Sequence, residues 1–224
     1  MMKILSLSDE TIPIIYSSQV RRRFGDVSLI LGCGDLSYLY LEYVLTALNV
    51  PLFFVRGNHD KIVEYSSWGQ RTAPAGGVDL HRQVCNYRGL LLAGVSGSLR
   101  YRPGPFQYTQ GEMFRNVFSL VPRMLANRIQ HGRFLDIFIT HAPPFGIHDE
   151  TDRTHTGIKA FRWLDRMFQP AYHIHGHMHI YRPDTVTETR FGKTRVINTY
   201  PYKEITLDFD LEEQAVGQSE PGRI

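Results

Sequence analysis

Short apolar runs alternate with a helical pattern over the first quarter of the chain. Runs of mostly apolar residues at 4–7, 27–31 and 52–55 are each followed by polar or glycine residues, and such bounded runs predict short buried strands. Between 39 and 48 the apolar residues recur at helical spacing, and Pro51 closes that segment. This alternation indicates layers of β-sheet flanked by helices.

Beyond Val78 the pattern shifts towards β-structure. The predicted elements are a hairpin at 84–87 and 90–93, a loop at 96–108, a helix at 110–129 that Pro122 would interrupt, a strand at 137–140, a helix at 157–168, a strand at 172–175, and strands at 186–191, 195–200 and 205–209. We find no internal repeat and no linker. The sequence therefore predicts one domain over residues 1–211 and a polar, frayed tail over 212–224.

Amino-acid composition and charge narrow the classes of protein to which this chain could belong. The 224 residues are 42% hydrophobic and 21% charged, which is typical of a globular domain with its own core. A formal net charge of +3 tolerates phosphate-bearing substrates but does not argue for nucleic-acid binding. No run of 18 apolar residues and no secretory signal is found, and there are only two cysteines. We therefore expect a cytoplasmic protein with reduced thiols and no membrane partner.

The candidate chemistry collects where predicted strands end. Five strands are each followed by a short polar cluster, and the clusters contain Asp9, Asp35, Asn58 with His59, His141, and His177 with His179. Strand ends on one edge of a sheet lie close together, and ligands of open α/β sheets bind at the carboxyl edge. Oxygen donors mixed with imidazoles suit Mn, Fe or Zn better than calcium or a thiolate-bound structural zinc. The sequence therefore predicts a transition-metal site built from strand ends.

The order and spacing of these clusters resemble a known family. The segments that carry the resemblance are Asp9-Glu10-Thr11, Gly34-Asp35, Gly57-Asn58-His59-Asp60, His141-Ala142-Pro143-Pro144 and Gly176-His177-Met178-His179. In this order they resemble the motifs of the calcineurin-like metallophosphoesterase superfamily, over nearly the whole chain from Asp9 to Asn198. The resemblance implies a four-layer αββα sandwich, in which two mixed β-sheets pack face to face between helices.

The resemblance also implies roles for single residues. Asp35 would bridge two divalent metal ions, Asp9 and His179 would serve the first ion, and Asn58, His141 and His177 would serve the second. His59 would face the phosphate as the catalytic proton donor, and Asp60 would orient His59 or its loop. The implied reaction is hydrolysis of a phosphate mono- or diester by a metal-bridging hydroxide.

Thr11 departs from the family pattern, which has histidine two residues after the first aspartate. A hydroxyl is a much poorer ligand than imidazole for these metals. Water could fill the gap, Glu10 could swing in, or the first metal could be lost. We favour water, because His59 and all the implied ligands of the second metal are present. The alternative is a degenerate scaffold of this fold that binds a partner and has weak activity or none.

The substrate is less well defined by the sequence. Arg100 and Arg102 lie beside Tyr101 in the 96–108 loop, and basic and aromatic groups together could hold a nucleotide. Asp149 is a candidate for the substrate rim, and Arg56 could reach the phosphate or pair with a carboxylate. We expect a small phosphodiester or nucleotide, with nucleic acid as a less favoured substrate. Nothing in the sequence indicates an oligomeric state.

Overall fold

The computed structural model describes residues 1–66 and 69–207. Fifteen strands and five helices follow one another within these ranges. They are β1 (Lys3–Leu7), α1 (Val20–Phe24), β2 (Leu29–Cys33), α2 (Tyr38–Leu48), β3 (Leu52–Val55), β4 (Glu64–Ser66), β5 (Gly69–Arg71), β6 (Gly77–Asp79), β7 (Gln83–Tyr87), β8 (Leu90–Val95), β9 (Ser98–Leu99), β10 (Gln107–Tyr108), α3 (Gln110–Phe118), α4 (Val121–His131), β11 (Ile137–Thr140), α5 (Lys159–Phe168), β12 (Tyr172–His175), β13 (Glu188–Phe191), β14 (Thr194–Asn198) and β15 (Tyr202–Thr206).

Two mixed sheets form the centre of the molecule. The first has the strand order β15-β1-β2-β3-β6, with β15 antiparallel and the other four parallel. The second has the order β13-β14-β12-β11-β8-β7, in which β14, β12, β11 and β8 are parallel and the two edge strands are antiparallel. Parallel strands must be covered on both faces, which explains why β2, β3, β11 and β12 consist almost wholly of buried residues.

Alternate residues of each strand pack on opposite faces of its sheet. The hydrophobic core therefore has three parts, one between the two sheets and one between each sheet and its helices. On β2, Leu29, Leu31 and Cys33 pack between the two sheets, whereas Ile30 packs towards α1 and α2. On β11, Ile137 and Ile139 point between the sheets, and Phe138 packs with α3, α4 and α5. The layers are therefore helix, sheet, sheet, helix, which confirms the predicted four-layer αββα sandwich.

Several predicted boundaries change. The helix predicted at 110–129 is two helices that meet at Ser119 and Leu120, and Pro122 lies in the first turn of α4, where its missing N–H costs nothing. The strand predicted at 27–31 is Leu29–Cys33, and the one predicted at 205–209 is Tyr202–Thr206. Residues 208 and 209 lie outside the described ranges, and so does the predicted 212–224 tail. Among the described residues, no helix is both long enough and apolar enough to cross a membrane.

Candidate metal centre

The strand ends predicted to meet do come together at one end of the sandwich. Asp9 and Asp35 each lie two residues beyond a parallel strand of the first sheet, and Asn58 follows the third of these strands. His141 directly follows β11 and His177 lies two residues beyond β12, both in the second sheet. Each sheet therefore contributes polar side chains from its carboxyl edge to one site between the two sheets.

Four acceptor atoms converge around the ring of His141. Its Nε2 lies 3.1 Å from Asn58 Oδ1, 3.2 Å from an Asp35 carboxylate oxygen and 3.2 Å from Nδ1 of His177. All four side chains are buried or nearly so, at one end of the sandwich. Two imidazole nitrogens, a carboxylate and an amide oxygen are ligand types that divalent transition metals accept.

Hydrogen bonds on the far side of each ring orient the two imidazoles. His141 Nδ1 lies 2.8 Å from the carbonyl oxygen of Cys33, and His177 Nε2 lies 2.9 Å from the carbonyl oxygen of Thr154. A carbonyl can only accept, so each of these nitrogens donates its hydrogen outward. In the neutral rings the lone pairs are therefore on Nε2 of His141 and Nδ1 of His177, which lie 3.2 Å apart beside the Asp35 carboxylate. Such a group of lone pairs is stable only around a cation or a proton, and the donor set therefore fits a metal ion.

The charges in this cluster are strongly coupled when the proton is the only cation. Burial alone would lower the pKa of His141, but the adjacent Asp35 carboxylate raises it to about 10. Burial likewise opposes ionisation of Asp35, yet His141 and the His59 backbone bring the pKa of that carboxyl down to about 2. The pKa of His177 is lowered to about 4, first by burial and then by the charge of His141. Without a metal ion, a protonated His141 ring therefore supplies the positive charge that faces the Asp35 carboxylate.

The first implied metal position is less complete. Asp9 accepts a hydrogen bond from the backbone N–H of His177 at 2.9 Å, and its other oxygen lies 3.7 Å from Nε2 of His179. The His179 ring is oriented by the Tyr181 hydroxyl, which lies 3.0 Å from its Nδ1. With Asp35, these are the ligands that the resemblance implies for a first ion, but their ligand atoms do not all lie within 4.8 Å of one another, as those of Asp35, His141 and His177 do.

Thr11 and Glu10 do not complete that set. Thr11 is exposed to solvent. The carboxylate of Glu10 accepts a hydrogen bond of 3.0 Å from the Tyr200 hydroxyl, and the Tyr200 ring stacks on His179 with centroids 4.5 Å apart. Of the alternatives left open by the sequence, the inward swing of Glu10 would break this contact, whereas a water ligand would leave it intact.

Asp60 holds the loop rather than His59. One oxygen of its carboxylate accepts hydrogen bonds from the backbone N–H groups of Gly57 at 2.7 Å and Asp35 at 3.1 Å. Burial and the nearby Asp35 carboxylate raise the pKa of Asp60 to about 7. This carboxyl group therefore joins the turn after β2 to the turn after β3, and so fixes the backbone that carries Asp35 and Asn58.

His59 faces the open cavity beside the metal ligands. Its backbone N–H donates to Asp35 at 2.7 Å, and its side chain lines a cavity of about 580 Å³ together with Asp9, Asp35, His177 and His179. On the other side, the Arg102 guanidinium lies 3.4 Å from Nδ1 of His59. Because arginine can only donate, this contact leaves the hydrogen of a neutral His59 ring on Nε2.

Comparison with known proteins agrees with this geometry. The sequence matches the model of the calcineurin-like phosphoesterase family over residues 19–181, which is more than half of the chain. The chain belongs to this family. The matched range begins after Asp9 and contains all the other candidate ligands. No curated protein matches the sequence.

Several solved structures are similar to this chain, and TT1561 shows the shared fold. TT1561 of Thermus thermophilus superposes with a TM-score of 0.60 over 88% of both chains at 14% sequence identity. GAP50, the anchor in the inner membrane complex of Plasmodium, gives a TM-score of 0.49 at 12% identity, over 88% of this chain and 70% of GAP50. Vacuolar Protein Sorting 29 from Cryptosporidium parvum gives 0.42 at 13% identity, over 88% of this chain and 73% of its own. At these identities the likeness is one of fold.

Other residues singled out in the sequence lie outside the cluster. Asp149 accepts a hydrogen bond from the Gly157 backbone at 3.0 Å and lines a smaller cavity of about 280 Å³ that also contains His179. Arg56 forms an ion pair with Asp79, and does not point at the metal ligands. Asp149 therefore lies beside the site. Of the two roles considered for Arg56, the structure shows pairing with a carboxylate.

Three contacts at the site are not predicted by the sequence, although Tyr101 and Arg102 themselves are candidates for holding a nucleotide. Tyr101 accepts from the Asn58 amide at 3.3 Å, so that the amide oxygen of Asn58 points at His141. Arg102 was noted as a basic residue but not as a neighbour of His59. Thr154 acts through its backbone carbonyl, which carries no side-chain signal. The chemistry of the 96–108 loop was a usable signal, but its docking onto His59 depends on the tertiary fold.

Three of the candidate ligands have an unusual backbone. Asp9, Asp35 and His177 adopt positive φ angles of 65°, 57° and 67°. This left-handed region is uncommon for residues other than glycine, and it tends to occur at functional sites. The turn after each strand therefore carries local strain at the residue that faces the centre.

Proposed function

We propose that this protein is a metal-dependent phosphoesterase that hydrolyses a phosphate mono- or diester. The observation that carries the proposal is the convergence of four acceptor atoms from His141, His177, Asp35 and Asn58, with the hydrogens of both rings directed away. Membership of the calcineurin-like phosphoesterase family supports the same class of chemistry.

Two divalent ions are part of the proposal, with Mn, Fe or Zn as the candidates. Asp35, Asn58, His141 and His177 would hold one ion, and Asp9, His179 and the shared Asp35 would hold the other. Ions in such a pair acidify water and neutralise the charge that develops on phosphoryl oxygens. Mixed nitrogen and oxygen ligands without thiolate favour these metals over calcium.

His59 would act on the substrate directly. Its Nε2–H is the donor left free when Nδ1 accepts from Arg102, and it would donate to a phosphoryl or leaving-group oxygen. The bond from the His59 backbone to Asp35 keeps the donor at a fixed place relative to the metal ligands. Arg102 would add a positive charge on the same side, where it can pair with a phosphate oxygen.

A small phosphodiester or a nucleotide is the substrate we favour. The cavity of about 580 Å³ is of the size that takes small molecules, and Tyr101 and Arg102 approach its edge at Asn58 and His59. Long nucleic acid is less favoured because the formal net charge is only +3. Strong salt dependence of binding to DNA or RNA would reverse that preference. Both cysteines are free thiols, which supports a reducing compartment such as the cytoplasm.

The experiment that tests the proposal is turnover of bis-p-nitrophenyl phosphate and p-nitrophenyl phosphate with added Mn²⁺, Fe²⁺ or Zn²⁺. We expect metal-dependent turnover that falls by about 10²–10⁴-fold in His59→Ala. His131→Ala, a histidine replacement outside the cavity, is the matched control and should retain activity. Absence of turnover with every metal, together with less than one bound ion per chain, would favour the scaffold alternative, which the departure at Thr11 supports.

A further inference from the structure

A second cavity lies between α5 and the edge strand β13, and it shares no lining residue with the metal cavity. Its volume is about 480 Å³. Three aromatic and three basic side chains dominate its walls, namely Phe145, Trp163, Phe191, Lys159, Arg162 and Arg166. Pockets that bind small molecules have this size, with mostly apolar walls and a few polar groups that set orientation.

Arg162 is held in place at the centre of this cavity. Its Nη1 donates to the carbonyl oxygen of Phe145 at 2.7 Å, and its guanidinium carbon lies 4.8 Å from the centre of the Phe191 ring. Gly146 leaves the necessary space, because a Cβ added there would lie 2.6 Å from the same nitrogen. Gly146 also has a φ of 74°, which other residues rarely adopt. The guanidinium is therefore preorganised.

One carboxylate, that of Asp165, lines the cavity beside the three basic side chains, so the basic groups are in excess. Lys159, Arg162 and Arg166 form no ion pair with any carboxylate in the described part of the chain. The Asp165 carboxylate is fully buried and bonds His173 at 2.7 Å, and its second oxygen has no hydrogen-bond partner. Three cations thus share one aromatic cavity, which gives it a positive potential.

We propose that this cavity binds an aromatic anion of mononucleotide size. Arg162 and the neighbouring basic residues would pair with the phosphate or carboxylate, and the ring would stack on the aromatic walls. A cavity of about 480 Å³ that is open to solvent has room for a single ring system and one anionic group. An acidic peptide would match the charge but would use little of the aromatic surface. The inference does not depend on metal binding or hydrolysis at the other site.

Fluorescence of Trp163 reports on this cavity directly. The sequence has two tryptophans, and Trp68→Phe leaves Trp163 as the only one. The full-length variant is titrated with adenosine 5′-monophosphate in EDTA, so that no metal ion draws the phosphate to the other cavity. Adenosine and inorganic phosphate are titrated separately. We expect the monophosphate to change Trp163 emission and to bind at least about tenfold more tightly than either part alone.

Arg162→Gln tests the central contact. We expect at least about a tenfold loss of affinity for the monophosphate, with an unchanged circular dichroism spectrum and melting temperature. Arg123→Gln removes the same charge from an exposed position on α4, and it should bind like the parent protein. Loss of binding in this control would mean that binding depends on the net charge of the protein and not on Arg162, which would overturn the proposal.

Three further outcomes would also overturn the proposal. These are no response of Trp163 up to about 10 mM monophosphate, equal affinity in Arg162→Gln, and binding of inorganic phosphate as tight as that of the monophosphate. Arg162-dependent binding of a glutamate-rich peptide without binding of the monophosphate would assign the cavity to an acidic protein partner instead.

Discussion

At Gly57 the backbone passes so close to Asp35 that a single methyl group would overlap the carboxylate. Gly57→Ala should therefore displace Asp35 and weaken metal binding by about 10–100-fold, because outer contacts that orient a ligand matter on that scale. Metal content after gel filtration, with turnover as a second readout, measures the effect. Gly111→Ala is the matched control, since nothing lies within 4 Å of the added Cβ in α3. Equal metal affinity in Gly57→Ala and the parent protein would contradict the role given to Asp35.

Thr11 poses a different question at the residue scale, because it leaves the first implied metal position short of a ligand. Thr11→His should place an imidazole two residues after Asp9 and lower the Mn²⁺ concentration for half-maximal activity several-fold. Metal titration of turnover, with the number of bound ions per chain, checks this. Glu10→Gln retains the contact with Tyr200 and should leave the metal requirement unchanged. An unchanged requirement in Thr11→His would mean that another group already occupies the position.

The segment between β11 and α5 makes a pH-sensitive contact with β12 and β13 through His148. His148 lies 2.9 Å from His175 and 2.9 Å from the Thr189 hydroxyl, and burial lowers the pKa of His148 to about 4. In the unfolded chain a histidine has a pKa of about 6.5, so only the unfolded chain takes up this proton between pH 6.5 and 4. The contribution of a neutral His148 to stability is therefore present above this range and is lost as the pH falls through it.

His148→Gln should flatten this pH dependence. We expect the free energy of unfolding of the parent protein to fall by about 1–3 kcal/mol more than that of the variant between pH 7 and 4.5. Urea denaturation at both pH values, in EDTA, measures the difference. His131→Gln, a replacement outside this segment, should follow the parent protein. Parallel losses in the parent protein and His148→Gln would show that other groups cause the acid sensitivity.

Central strands that are buried on both faces were predicted best. The strands at 52–55, 137–140 and 172–175 agree with the structure residue for residue, and every residue in them is buried. The short strands β4, β5 and β6 were missed, as were β9 and β10 within the predicted 96–108 loop, since strands of two or three residues are too short to show a hydrophobic period. Pairing with a neighbouring strand defines such elements, and pairing is a property of the tertiary fold.

The candidate site divides in the same way. Asp9, Asp35, Asn58, His141 and His177 could be predicted to meet, because each follows a strand whose end lies at one sheet edge. Their roles as ligands stay predictions. The approach of Arg102 to His59 and of Thr154 to His177 could not be predicted, since both depend on how long loops fold back over the edge. Residue types at strand ends are a local signal, whereas loop docking is not.

On the scale of the whole molecule, an ion at this centre would join the two sheets. Asp35 and Asn58 follow strands of the first sheet, and His141 and His177 follow strands of the second. Chelation should therefore lower the melting temperature by about 8–16 °C. An ion at about 1,000 times its dissociation constant stabilises the folded state by about 4 kcal/mol, and each kcal/mol shifts the midpoint by about 2–4 °C in a chain of this length. Scanning calorimetry with EDTA, and again after excess Mn²⁺ is added back, measures the shift.

Asp35→Asn separates this effect from general actions of the chelator. The variant retains the size of the side chain but removes the charge shared by both implied ions. We expect its melting temperature to respond little to EDTA or Mn²⁺. A parent protein that melts at the same temperature with and without EDTA would indicate that no ion links the sheets.

The left-handed backbone at Asp9, Asp35 and His177 limits which amino acids could ever replace them. Besides glycine, the residues that tolerate this conformation most readily are asparagine, aspartate and histidine. β-Branched residues such as valine or threonine would destabilise the backbone in this conformation, in addition to removing a metal ligand. The backbone at these three turns therefore favours nearly the same residue types that bind metals. Substitutions that the fold accepts there would tend to replace one metal ligand by another.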